Sequence, residues 1–165
     1  MDILIVYGTR HGWTRTSSEV IQQELSEHYG HNVELSDYRI SREVKQHLST
    51  YDLVITGSSI QASFWKSGVK RFLKKYRGEF KKLAIFVCAG GTIQAARTGK
   101  MSLEDAINQA KTNYIDPVKQ KLGISTIADG VFGGQYGKPP KVKFNSWDKK
   151  DVVEWVREIQ YNITG

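Results

Sequence analysis

The residues with the most chemistry to offer are Gly8-Thr9-Arg10-His11-Gly12-Trp13-Thr14, which follow an apolar run and lead directly into a segment of helical spacing. A strand that ends in a turn bearing glycine and hydroxyls, then passes into a helix, brings free backbone N–H groups and the positive end of the helix dipole to one point. Such a point binds anions. Thr9 and Thr14 add hydroxyl donors, and Gly12 lets the backbone come close. No Gly-Lys-Ser/Thr follows, so this is not a Walker loop, and the spacing is not the dinucleotide G-x-G-x-x-G. By itself the spacing fits a phosphate grip and a plain steric turn equally well.

Such a loop needs elements to hold it, and apolar runs alternate with helix-period segments from end to end. That alternation predicts a parallel sheet with crossover helices. Ile3 to Tyr7 reads as a buried strand and Thr14 to Tyr29 as a helix with Val20, Ile21 and Leu25 inward. Asn32 to Leu35 is a second strand, Ser41 to Leu48 a brief helix, and Leu53 to Thr56 a third strand running into the loop Gly57-Ser58-Ser59. From Lys66 to Lys82 a basic helix turns Val69, Phe72, Leu73 and Tyr76 inward. Leu83 to Val87 is a fourth strand, ending in a loop at Cys88-Ala89-Gly90-Gly91. Ser102 to Leu122 is a helix that Pro117 kinks or restarts, Thr126 to Phe132 a fifth strand, and Gly133 to Asn145 a polar loop. Asp148 caps a last helix whose Val152, Val156 and Ile159 pack on the sheet. The expected fold class is α/β, a doubly wound three-layer α/β/α sandwich. Ligands bind such sheets beyond the carboxyl ends of the strands, where the winding reverses, which singles out the loops after the first, third and fourth strands.

With 165 residues, 39% hydrophobic and 25% charged, the composition is that of one globular domain spanning residues 1–165. A chain of this size buries roughly 70% of its unfolded surface, so it needs no metal or disulfide staple. The single Cys88 fits a reducing compartment, and with no basic leader and no apolar run of membrane-spanning length, the expected location is the cytoplasm. The net charge of +7 is concentrated: between Lys66 and Lys82 eight cations face only Glu79. That face is either simply solvated or a docking patch for an anionic partner, an acidic redox protein or a lipid headgroup. Nucleic acid is not expected, because no helix-turn-helix, zinc ligand set or aromatic binding strand accompanies the charge.

The pattern Thr9-x-His11-Gly12-x-Thr14 after a hydrophobic strand resembles the phosphate loop of flavodoxins, Thr/Ser-x-Thr-Gly-x-Thr, and the element order agrees along the whole chain. Within that superfamily the wording is similar to the branch of menaquinone-dependent protoporphyrinogen oxidase. The shared features are Thr9-Arg10, Gly57-x-Ser59-Ile60, a helix rich in Phe and Lys, Trp147, and Arg157-Glu158-Ile159. The resemblance implies a five-stranded sheet of order 2-1-3-4-5 and one noncovalent FMN. Its phosphate would be held by Thr9, Arg10, His11, Gly12, Trp13 and Thr14. Its ring would sit between a loop with Ser58, Ser59, Ile60, Gln61, Ala62 and Trp65 and another with Ala89, Gly90, Gly91 and Thr92. Arg10 either neutralises the phosphate or is an ordinary solvated arginine. His11 stands where the family has threonine, and its imidazole either donates or points to water. Phe64, Trp65 and Trp13 are candidates to stack on the ring or to pack elsewhere. Cys88 reads as a small hydrophobe.

Two functions follow from the resemblance. One is a low-potential electron carrier between redox enzymes; typical flavodoxins are acidic, so this basic chain would meet an acidic partner surface. The other is an FMN-dependent oxidoreductase of the protoporphyrinogen oxidase or quinone reductase type, with peripheral membrane contact. The oxidase branch carries a longer hydrophobic and basic insertion after the fifth strand, and the short polar Gly133 to Asn145 favours the carrier. A phosphoacceptor receiver is set aside, because Tyr7-Gly8 and Thr56-Gly57 stand where it needs carboxylates.

Overall fold

Apolar side chains on both faces make a strand fit only for the middle of a covered sheet, and three segments of this chain meet that description. In a computed structural model of residues 1–165 they are β1 (Asp2–Gly8), β3 (Leu53–Gln61) and β5 (Leu83–Cys88), with β2 (Asn32–Asp37) and β6 (Ala128–Phe132) at the edges. A two-residue strand β4 (Phe64–Trp65) folds back on β3, and β7 (Gln135–Tyr136) pairs with β8 (Phe144–Asn145) in a separate ribbon. The large sheet runs β2-β1-β3-β5-β6, all parallel on this path. Leaving out the short β4, that is the order 2-1-3-4-5. The register sets Ile5 between Leu35 and Ile55, and Thr56 opposite Ile85.

Helices cover both faces. The chain continues through α1 (Trp13–Gln23), α2 (Arg42–Gln46), α3 (Ser67–Tyr76), α4 (Gly90–Arg97), α5 (Leu103–Ala110), α6 (Asp116–Leu122) and α7 (Lys149–Thr164). On one face Ile21 and Leu25 from the α1 side and Val152, Val156 and Ile159 of α7 pack against Ile3, Ile55 and Phe86. On the other, Val69, Phe72 and Leu73 of α3 join Ala106, Ala110 and Val118 against Leu4, Val54 and Ile85. Each such fully buried aliphatic side chain contributes on the order of 1.5–3 kcal/mol. Asp148 caps α7 by accepting the Lys150 N–H, as expected. No helix is long and apolar enough to cross a membrane.

Three local expectations are corrected. The third strand does not end at Thr56 but continues to Gln61, because Ile60 and Gln61 find partners in Trp65 and Phe64 of the returning chain. The segment after the fourth strand is not a loop: Gly90 already opens α4, a helix missed because two glycines mask its start. Of the two readings of Pro117, the restart is the one observed: α6 begins at Asp116 with Pro117 in its first turn, where a missing N–H costs no bond. Gly133 to Asn145 contains the β7–β8 ribbon rather than plain loop.

Gly57 sits mid-sheet, where an added Cβ would run into the Phe86 ring. Gly57→Ala is therefore expected to cost about 1–3 kcal/mol by overpacking, read as a lower urea midpoint at unchanged slope.

Candidate functional site

The first loop is built around free donors. Gly12 takes a left-handed conformation with φ 87°, and its N–H donates to Thr9 Oγ1 at 2.8 Å, which tightens the turn. No carbonyl or side chain accepts the N–H groups of Trp13, Thr14 and Arg15, no side chain caps the helix, and no acid lies in its first turn. Thr14 is 1% exposed, and its hydroxyl has no well-formed hydrogen bond, only the Cys88 thiol beside it. Beside it, the buried Cys88 lies 3.7 Å from Ser17 Oγ, and burial pushes its thiol up to about 11. That thiol stays protonated and unreactive at neutral pH.

The second wall is the β3–β4 hairpin. Its turn places both Ala62 (φ 49°) and Ser63 (φ 66°) in the left-handed region, which a two-residue hairpin requires and which Asn-Gly satisfies best. Arg10 holds the hairpin in place, donating to the carbonyls of Phe64 at 3.1 Å and Trp65 at 3.2 Å. The guanidinium is thus a brace between the phosphate-loop candidate and the hairpin rather than an ordinary solvated arginine, and its charge still lines the cleft.

The third wall is the start of α4 together with the ribbon. The N–H groups of Gly90, Gly91 and Thr92 also lack protein acceptors, and no side chain caps this helix. Ser146, 2% exposed, ties the ribbon to that helix: its hydroxyl donates toward Gly90 O and accepts from Gly134 N. Trp13 fixes the ribbon from the other side, with Nε1 donating to Gln135 Oε1 at 3.2 Å and its ring against Trp147 at 5.1 Å. On the ribbon Tyr136 stacks on Phe144 at 5.6 Å, and Lys143 Nζ lies 5.3 Å over the Tyr136 ring.

The three walls enclose a cleft of about 720 Å³, within the range of small-molecule sites. Arg10, His11, Lys138 and Lys143 line it and no carboxylate does. The start of α4 lines it, the turn that leads into α1 adjoins it, and its lysine and arginine side chains face no acid there. The orphaned Thr14 hydroxyl, the unpartnered Ser59 Oγ and the uncapped α1 start all fit an anionic, hydrogen-bonding ligand.

Of the residues singled out from sequence, Arg10, His11, Ser59, Ile60, Gln61, Ala62, Ala89, Gly90, Gly91 and Thr92 come together around this cleft. Thr9, Gly12, Trp13 and Thr14 form the adjoining turn and helix start. Two expectations fail. Trp65 is 6% exposed with its indole N–H on Tyr114 O at 2.7 Å, so it is a core residue and does not stack. The Ser58 hydroxyl is buried and consumed by Ser59 O and Lys66 N–H. Phe64 lies on the outer side of the hairpin, and Trp13 is engaged by Trp147. Sequence reasoning missed Ser63, Tyr114, Gln135, Tyr136, Gly137, Lys138, Lys143 and Phe144. The signal for the ribbon residues was present: Tyr136 and Phe144 flank a turn with Pro139 and Pro140.

Fold and site together define an α/β sandwich with a cleft, lined by arginine and lysine and free of carboxylates, at the carboxyl edge of its sheet. A family model for the flavodoxin domain matches residues 4–153, and the chain belongs to the flavodoxin family. Members of this family bind flavin, typically FMN, and transfer electrons to redox partners. A cysteine-to-alanine mutant of the flavodoxin from Pseudomonas aeruginosa is similar over the full length of both chains, with 12% identity and a TM-score of 0.62. Oxidised flavodoxin 1 from Bacillus cereus is similar over 98% of each chain, at 13% identity and a TM-score of 0.58. The rubredoxin oxygen:oxidoreductase of Desulfovibrio gigas matches 99% of this chain with 37% of its own, at 14% identity and a TM-score of 0.59. Such identities support the fold alone. No curated protein matches the sequence.

The strained turn yields a prediction. Replacing Ala62-Ser63 by Asn-Gly is expected to stabilise the flavin-free protein by about 1 kcal/mol, read by chemical denaturation; no gain would mean that the two conformations carry no strain.

Proposed function

We propose that residues 1–165 act as one FMN-binding domain that carries electrons between redox enzymes. The observation that carries this reading is the pair of uncapped helix N-termini, that of α4 in the lining of a cleft without a carboxylate and that of α1 in the turn that adjoins it. The α1 end would take the phosphate, with the N–H groups of Trp13, Thr14 and Arg15 and the Thr14 hydroxyl as donors. The ring would lie between the hairpin at Ser59 to Ser63 and the α4 start, with Tyr136 rather than Trp65 as the aromatic wall. Bound FMN supplies the electron chemistry, while the protein orients it and tunes its potential.

The resemblance implies a low potential, and the lining of the cleft works against it. Arg10, Lys138 and Lys143 favour whichever form of the cofactor carries more negative charge, which is the reduced one. The potential is therefore displaced upward from that of an acid-lined cleft.

A second reading, an oxidoreductase of the protoporphyrinogen oxidase or quinone reductase type, is favoured by one observation. The ribbon adds an aromatic and cationic wall, Tyr136, Lys138 and Lys143, to a cleft that a carrier would leave open. Turnover with protoporphyrinogen or a quinone selects this reading; its absence leaves the carrier.

Thr14→Val separates binding from folding. Removing a buried hydroxyl without a partner is expected to leave the flavin-free protein as stable or slightly more so. Losing a hydrogen bond to a charged group, worth about 1.5–3 kcal/mol, weakens FMN binding by roughly tenfold to a hundredfold. Arg10→Ala is expected to weaken it less, since its guanidinium is committed to two carbonyls. Fluorescence titration with FMN and urea melts of the flavin-free protein check both, and an unchanged FMN affinity for Thr14→Val would remove the hydroxyl from the site.

Neutralising Lys138 and Lys143 to Gln is expected to weaken reduced FMN about fivefold to tenfold more than oxidised FMN. A redox titration reads this as a fall in midpoint potential, larger at low salt than at high salt.

A further inference from the structure

The outer side of the β3–β4 hairpin opens onto a groove between α3 and α6. It has a volume of about 450 Å³, with Trp65, Val118 and Leu122 along its floor and Phe64, 70% exposed, at its head. Lys70, Arg71, Lys74 and Lys121 form its rim. None of these four has a salt-bridge partner. A second groove of about 520 Å³ shares Leu122 with it and is bordered by Arg77, Lys81 and Lys82. Of these only Lys81 has an acidic neighbour, Asp52 at 3.7 Å. No carboxylate lines either part.

Like charges held side by side repel, and an anionic occupant removes that cost. Three observations identify the occupant. The polar groups of the first groove are mainly long, mobile side chains, so recognition runs through charge and apolar contact rather than through the few fixed donors of a small-molecule pocket. Two grooves in series accommodate a length of chain. Finally, Trp65 and Val118 are only 6% and 7% exposed, recessed below the cationic rim where a flat bilayer surface does not reach but a side chain does.

We propose that this trough docks an acidic segment, with one or two apolar side chains, of a redox partner protein. The proposal rests on the carrier reading above and gives its partner a chemistry. The head of the trough is also the back of the cleft: Gln61 to Ser63 of the same hairpin line the cleft, and Arg10 grips the Phe64 and Trp65 carbonyls from the phosphate-loop side. A segment seated there brings its owner to the edge of the flavin site.

The test uses a fluorescein-labelled decapeptide of Glu and Asp with one Phe and one Leu at its centre, read by anisotropy at low ionic strength. Lys70→Glu, Lys74→Glu and Lys121→Glu combined are expected to weaken binding at least about tenfold. Lys45→Glu, Lys75→Glu and Lys100→Glu, which change the net charge equally from outside the trough, are expected to cost less than about threefold. Phe64→Ala, which leaves charge untouched, is expected to cost about fivefold. Equal losses in the two charge-matched triples, or no binding of the peptide by the wild type, would overturn the proposal. So would displacement of the peptide by phosphatidylcholine vesicles containing phosphatidylglycerol, which would assign the cations to a membrane. FMN uptake, read from its visible absorbance, is measured separately: its failure overturns the carrier reading, whereas failure of the charge-matched comparison overturns the trough alone.

Discussion

Backbone N–H groups without acceptors dominate this molecule. Those of Trp13, Thr14 and Arg15 at α1, and of Gly90, Gly91 and Thr92 at α4, all lie at the carboxyl edge of the sheet. A buried donor left unmet costs about 1–3 kcal/mol, so these groups must stay wet or meet an anion. Strand order brings the two helix starts close. The chain winds one way from β1 to β2 and the other way from β1 to β3 and β5, which puts α1 and α4 on either side of the β3 end. The cleft is thus a product of topology, and the side chains around it are arranged to keep it open and free of negative charge.

Keeping it open requires supports outside the cleft. The hairpin turn at Ala62 and Ser63 adopts a backbone that neither residue favours, and it is held from one side by β3 pairing and from the other by Arg10. The ribbon has no large sheet to join, so Ser146, the Trp13 indole and the Arg97 contact with Ser146 O fix its base. Strain and staples meet at the same place, as expected where a surface is shaped for binding rather than for stability.

Much of this was legible in the sequence. The three central strands announced themselves as apolar runs, because both faces of the middle of a parallel sheet are covered, and the first loop could be read from its glycine, hydroxyls and position before a helix. What stayed hidden depended on long-range partners. Trp65 read equally as a ring-stacking residue or as core, and one distant carbonyl, that of Tyr114, accepts its indole N–H in the core. Ser58 looked like a loop hydroxyl because nothing local says that β3 continues to Gln61; the partner strand that extends it is two residues long. Arg10 could not be distinguished from a solvated arginine, because its acceptors belong to that same short strand. Gly90 and Gly91 concealed a helix start whose stability comes from its neighbours rather than from propensity.

The basic charge acts over two distances. Within the cleft, Arg10, Lys138 and Lys143 lie against the site itself, where water is displaced by a bound ligand and the local dielectric falls, so their influence persists at physiological salt. Along α3 and α6 the cations stand on an open rim, and beyond roughly 8–10 Å their field is screened at ordinary ionic strength. The first group therefore bears on which oxidation state is held more tightly, and the second on what approaches and from which side. The hairpin of Gln61 to Trp65 forms a wall of both regions, with Arg10 clamping its backbone. The trough on the flank and the cleft thus share a single short element, whose turn holds two residues in a backbone region that neither favours.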